Sequence, residues 1–447
     1  MIPDVGVFDY LLGFLFLILI YFFAFAYKNK KSETDNTYEY FMYALSAKVF
    51  GGLGFLLLSV YYWGGGDSFS YFNTAHDYTA FILEDPGEAM STFFKSSNDM
   101  NWYKYKWAFN RHHFLGSPAS FTVVKITSLI NLFSFNSYLP STLFYSALSF
   151  LGVWNMYFVF CKLYPHLKRN LLFGFFFIPS VVLWGSGILK DTITIAAIGW
   201  LMYAFINLVL LRRKRTKSLI LIIIATLSIA LLKPYILYVL YPALFVWVQG
   251  NLKSLISSNL LRRLFAPIIA FVLVFSSYFL SQKLSQNAGK YSINKLENTL
   301  GGFQSWHTAV SLKKNQSGYT LGDADFTPVG IFKKIPAAIA VTFFRPYIWE
   351  VRNASTLLGA VEAMLMTLFS IWLLLKYRLA LFRLIYRNKD VFFLLLFSLI
   401  FGVVVGISSY NFGALSRYKM PAQMFFVVAM ILILDKTNKG EIENLQL

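Results

Sequence analysis

The residues best placed to do chemistry are polar groups stranded at the ends of apolar stretches. The first is Asp67, in Trp63-Gly64-Gly65-Gly66-Asp67-Ser68-Phe69-Ser70-Tyr71. Three consecutive glycines permit a tight turn and a close approach of backbone to a ligand. A helix is expected to open at Asp67, with Tyr71 one turn further along the same face. A carboxylate held there can take a proton from a hydroxyl as general base. The same residue would serve equally as a helix N-cap.

A set of cations occupies comparable positions. Lys190 and Asp191 follow Gly185-Ser186-Gly187-Ile188-Leu189, and Lys233 interrupts Leu232-Lys233-Pro234-Tyr235. Arg345 and Glu350 lie in Phe344-Arg345-Pro346-Tyr347-Ile348-Trp349-Glu350, and Arg417 and Tyr418 close Asn411-Phe412-Gly413-Ala414-Leu415-Ser416-Arg417-Tyr418. Snorkelling accounts for any one of them. Together, Lys190, Lys233, Arg345 and Arg417 have the chemistry to hold a phosphate or pyrophosphate, the guanidinium fork matching phosphate oxygens. Glu362 falls inside an apolar segment, where an ionisable group is costly and usually functional; pairing with one of the cations is its simpler use. Asp191, Glu350, Glu362, Tyr71 and Tyr418 are therefore expected in supporting roles.

No cofactor or resident metal is expected. Asp323 and Asp325 form an Asp-x-Asp that can bind a divalent ion through oxygen, or simply build a turn. His112-His113 and His307 have no companions at metal-ligand spacing. No phosphate-binding loop, dinucleotide fingerprint, zinc signature or nucleophile elbow is present. The single Cys161 excludes an internal disulfide framework.

The elements that must position these groups are membrane helices. Of 447 residues, 57% are hydrophobic and only 14% charged, well under the roughly 25% charged of a soluble domain. A bilayer can cover that much apolar surface and water cannot. The net charge of +19 does not imply a nucleic-acid partner. Its basic residues gather just after apolar segments: Lys28, Lys30 and Lys31; Lys162, Lys168 and Arg169; Arg212 to Lys217; Lys253, Arg262 and Arg263; Lys376 to Lys389; Lys436 and Lys439. That is the positive-inside pattern. With about 20 apolar residues needed per span, the candidates are 8–27, 41–62, 138–161, 171–188, 191–211, 218–232, 235–250, 266–281, 354–376, 390–408 and 421–435. Residues 1–10 lack the basic start of a signal peptide, so 8–27 is expected to be a retained span.

The reading is an all-α, polytopic bundle of about eleven spans, N-terminus outside and C-terminus inside by the charge rule. The scheme closes if 119–134 is re-entrant, dipping in and returning. Two long connections, 63–118 and 282–353, then lie outside within a single transmembrane domain spanning 1–447. Their Tyr, Trp, Asn and Ser content suits sugar contact, and equally an interfacial aromatic belt.

With these motifs in place, the chain resembles the GT-C class of membrane glycosyltransferases and the related bacterial polysaccharide polymerases. The resemblance rests on Asp67 just after a span, on Trp184-Gly185-Ser186-Gly187-Ile188-Leu189-Lys190-Asp191, and on the two stretches around Arg345 and Arg417. It implies a polyprenyl-(di)phosphate-linked sugar donor, a glycan or lipid acceptor, and action on the outer side of the bacterial cytoplasmic (inner) membrane. Many members carry a paired acidic motif where Asp67 is followed here by Ser68. The basic outer residues are also similar to those of O-antigen-type ligases. A flippase for the same lipid-linked glycans would use outer cations too, but should show repeat symmetry, which this sequence lacks. A non-enzymatic scaffold would gain nothing from buried cations.

Overall fold

A computed structural model describes residues 6–105, 115–213, 215–255, 300–302, 304–305, 317–323 and 325–438. The expected span 266–281, Arg262, Arg263, His112, His113 and His307 lie outside the described residues. The described chain is helical throughout, with no strand; one isolated bridge joins Gly318 and Asn411. Among the described residues seven helices are long and apolar enough to cross a membrane: Val7–Ser32, Asn36–Tyr62, Tyr138–Leu163, Lys190–Val209, Arg215–Leu232, Ala354–Arg387 and Lys389–Ser409. An eighth crossing is available from a pair bent by 63°, Phe412–Tyr418 with Met420–Asp435. This is the pattern of an integral membrane protein. The chain divides into two compact units, 1–172 with 181–208 and 213–233, and 173–180 with 209–212 and 234–447.

In the first unit, α1 is Val7–Ser32 and α2 is Phe41–Leu57, prolonged by a π turn at Leu58–Tyr62. Then come α3 (Asp67–Glu84), α4 (Pro86–Phe93), α5 (Pro118–Ser134) and α6 (Tyr138–Leu163). Next are α7 (Lys168–Phe176) and α8 (Pro179–Trp184), whose residues 173–180 belong to the second unit, then α9 (Lys190–Val209) and α10 (Arg215–Leu232). Long-range contacts sort the helix ends onto two sides. Ser137 and the Tyr138 N–H both donate to Asp9, joining the start of α6 to the start of α1. Ser68 and Tyr138 share a 2.7 Å hydrogen bond, adding the start of α3. Trp63 and Trp184 stack with centroids 5.2 Å apart, adding the ends of α2 and α8. Lys233 pairs with Asp191, adding the end of α10 and the start of α9. On the opposite side Lys162 pairs with Asp35 and Lys168 donates to Asn36.

Lys28, Lys162 and Lys168, which follow apolar segments, fall at that opposite end. One apolar segment differs from the sequence expectation. Residues 171–188 do not form one helix: α7 and α8 are separated at Phe177 and Ile178. Pro179 is the cause, since proline lacks an N–H and disfavours helical backbone in the residue before it. Helix α5, which covers the expected re-entrant segment 119–134, is continuous and packs antiparallel to α3: Ser68 lies by Tyr138, and Thr79 reaches the Ser128 carbonyl at 3.3 Å.

Among lipid-covered helices association depends on close packing, because lipid tails are as apolar as leucine. Glycines supply the approach here. A Cβ on Gly152 would lie 2.3 Å from the Ala196 carbonyl oxygen, and one on Gly199 2.2 Å from that of Gly152, so α6 and α9 touch backbone to backbone. Lys48 of α2 is fully buried and donates to the Val181 and Gly185 carbonyls at 3.1 and 3.2 Å. The Val181 carbonyl also accepts the Gly185 N–H at 3.2 Å, so the ammonium is its second donor and ties the end of α8 to α2.

The second unit contains α11 (Tyr235–Leu255), α12 (Pro328–Phe344), α13 (Ala354–Arg387), α14 (Lys389–Ser409), α15 (Phe412–Tyr418) and α16 (Met420–Asn438). Helix α13 breaks at Arg378 (φ 45°, ψ −129°), so its apolar part ends where the sequence expectation of 354–376 ends. Helix α14 is central. Trp247 of α11 stacks on Phe393 and donates to Asp390 at 2.7 Å. Thr342 of α12 donates to the Gly402 carbonyl at 2.8 Å, and Phe397 packs on Phe425 of α16. Residues 328–344, expected within an outer loop, are thus a packed helix. Its two lysines and internal Pro336 interrupt the apolar run, but Gly402 and Gly406 of α14 let it dock closely.

Candidate functional site

Asp67 is the first residue of α3, and Gly66 holds the N-cap position, so Asp67 is not itself the cap. The three glycines before it have φ of 59°, 150° and 124°. No atom lies within 4 Å of a Cβ built at any of them. The requirement for glycine is therefore conformational: Gly66, with ψ −173°, occupies a region open essentially to glycine alone. The loop is anchored by Trp63 on Trp184, with Phe55 against both rings at 5.9 and 5.8 Å. Gly187 is needed for the same cluster, since its Cβ would lie 2.2 Å from the Phe55 ring. Half-buried Asp67 thus sits at the positive end of an 18-residue helix, where its charge is favoured.

One turn on, Tyr71 is buried, and the Lys190 ammonium lies 5.9 Å from its ring centroid. Lys190 and Asp191 open α9. Asp191 is buried and ion-paired to Lys233, their side chains 2% and 9% exposed. The first unit therefore gathers five of the sequence-designated residues, Asp67, Tyr71, Lys190, Asp191 and Lys233, at one end of its helices. Lys233 comes with a carboxylate, so this pair adds no net charge to an anion site. Lys48, which the sequence reading passed over, underpins the turn between α8 and α9; its one signal is a lone lysine amid apolar residues 41–62.

The remaining designated residues belong to the second unit. Arg345 is gripped by Glu350, whose carboxylate also accepts the Tyr347 N–H at 2.8 Å. The guanidinium lies 5.6 Å from the Phe412 ring centroid. Arg417, on α15, lies 5.9 Å from the Tyr418 ring. Glu362 is buried and accepts from the Ser180 N–H and from Gln423 Nε2 at 2.8 Å; Ser180 Oγ donates to Gln423 Oε1 at 3.0 Å. Fully buried Lys419 donates to the Thr342 carbonyl at 3.0 Å and acts electrostatically on Glu362. Sequence reading missed Lys419 and Gln423 as its partners.

Burial alone would raise the Glu350 carboxyl, but Arg345 and the Tyr347 N–H outweigh it and hold it below the ordinary carboxylate range. Hydrogen bonding to Glu350 raises Arg345 in turn. A carboxyl that titrates lower when folded contributes stability above its unfolded pKa of about 4.3 and loses it as pH falls. Amide protection in 345–353, measured against the intrinsic exchange rate at each pH, should therefore be flat through neutral pH and fall as acid protonates Glu350. In Glu350→Gln protection should be low at every pH; an unchanged acid transition in that variant would refute the assignment.

Asp325 accepts from the Thr327 N–H and Oγ1 at 3.0 and 2.6 Å, the geometry of a turn ahead of α12. Among the described residues no group of three or more His, Cys, Asp or Glu side chains comes together as a metal site would require. The chain matches no protein-family model, no curated protein and no solved structure.

Proposed function

We propose that the protein is a membrane glycosyltransferase or polysaccharide polymerase that moves sugar from a polyprenyl-(di)phosphate donor to a glycan or lipid acceptor. The supporting observation is the carboxylate of Asp67 on a glycine-built loop at the head of α3, with Lys190 over the next residue of the same helix face. Asp67 takes the proton of the acceptor hydroxyl as the oxygen attacks the anomeric carbon. The bond from that carbon to the donor phosphate oxygen breaks, and Lys190 faces the negative charge that grows on the leaving phosphate, beside the Lys233–Asp191 pair, which is neutral overall. In the second unit Arg345 and Arg417 offer the same anion chemistry, Arg345 with Glu350 setting its orientation, and Tyr418 beside Arg417.

We place this chemistry on the outer side of a bacterial cytoplasmic membrane. In the first unit Lys162 and Lys168 lie at the helix ends opposite Asp67 and Lys190, which fits a cytoplasmic basic side. That assignment carries the full expectation of about eleven crossings, N-terminus out and C-terminus in.

The test is turnover by purified protein in vesicles, with polyprenyl-linked sugars as donors and mass spectrometry following donor loss and product gain. An extended glycan with loss of donor is expected. No turnover of any donor, together with donor crossing a sealed vesicle, would replace this reading with a flippase.

A further inference from the structure

The turn between α9 and α10 holds a feature that the proposed transfer does not use. A half-open cavity of about 530 Å³ is lined by Tyr203, Arg215, Thr216, Lys217, Ser218 and Leu221. It lies at the basic end of the first unit, opposite Asp67. We infer that this cavity is a phosphate-recognition site, suited to the headgroup of an anionic membrane lipid or to a free phosphate.

Four observations converge on this. Among the described residues the lining includes two cations and no carboxylate. Thr216 and Ser218 bring hydroxyl donors, and residues 215–218 are the first turn of an 18-residue helix, whose N–H groups have no helical acceptors and whose dipole favours an anion. Leu221 lies one turn deeper along a helix apolar enough to cross a membrane, so a phosphate in the cavity would sit at the level where lipid headgroups meet acyl chains. Arg215 and Lys217 are exposed, so neither is committed to the packing of the bundle.

The experiment compares wild type with the double variant Arg215→Gln/Lys217→Gln, and with Lys28→Gln/Lys30→Gln as an equal change of charge at the same end. Delipidated protein is titrated with phosphatidylglycerol, with phosphatidylcholine and with inorganic phosphate, and bound molecules are counted by native mass spectrometry. The cavity variant should bind phosphatidylglycerol about tenfold or more weakly, as expected for the loss of charge-assisted hydrogen bonds. The Lys28/Lys30 variant should retain wild-type affinity. Inorganic phosphate competing at equal affinity would identify the free anion as the ligand; selective retention of phosphatidylglycerol would identify the lipid. Equal losses in the two variants, or no preference for phosphatidylglycerol over phosphatidylcholine together with no phosphate binding, would overturn the site.

Discussion

Replacing Asp67 with Asn should cut sugar transfer by about 10²–10⁴-fold, the range over which a positioned general base contributes, while the protein still inserts, purifies and melts as wild type does. The asymmetry follows from where Asp67 sits. It is half-buried at the head of α3, and Gly66, not Asp67, occupies the cap position. Asparagine keeps the shape and loses the proton acceptor. Asp67→Glu retains a base but moves it outward by one methylene, so it should recover part of the rate. Initial rates of donor consumption at saturating donor separate these outcomes. Transfer at the wild-type rate in Asp67→Asn would end the general-base role.

Lys233→Met should lower stability by about 3–5 kcal/mol, the cost of leaving one partner of a buried ion pair uncompensated. Asp191 is the partner left behind, and its side chain is only 2% exposed. Neutralising both, as Asp191→Asn with Lys233→Met, should restore most of the loss, because the penalty belongs to the orphaned charge rather than to the missing attraction. Thermal unfolding in detergent measures the full cycle. A single variant as stable as wild type would show that the pair is not closed off from water as its burial implies. Activity adds a second axis: if Lys233 also faces the leaving phosphate, the stable double variant stays slow.

The membrane character, the sites of most spans and the helix opening at Asp67 were legible because each depends on local sequence. Apolar length, basic clusters and a glycine run need no knowledge of neighbours. The break at Phe177 and Ile178 was legible too, in Pro179, but the apolar run across it read as one span. What stayed hidden depends on long-range packing. Glu362 meets Ser180 across 182 positions and Gln423 across 61, and no local pattern announces either partner. Residues 328–344 read as loop because Lys333, Lys334 and Pro336 dilute their apolar run, while the glycines that receive the helix lie on α14. Lys48 was visible as a lone lysine in a span, but its purpose depends on carbonyls more than 130 positions away. Lys233 and Arg345 were likewise legible as cations, but their pairing with Asp191 and Glu350 was not.

The stack of Trp63 on Trp184, 5.2 Å apart and within 12° of parallel, gives the loop an optical gauge of its own. Two indoles in that geometry couple electronically, and their circular dichroism depends steeply on separation and angle. One ring leads directly into Gly64, and the other closes the helix before the Lys190 turn. Any rearrangement of the Asp67 loop on meeting a ligand would be written into that signal without an attached label, and replacing either tryptophan with phenylalanine would isolate its share from the other indoles.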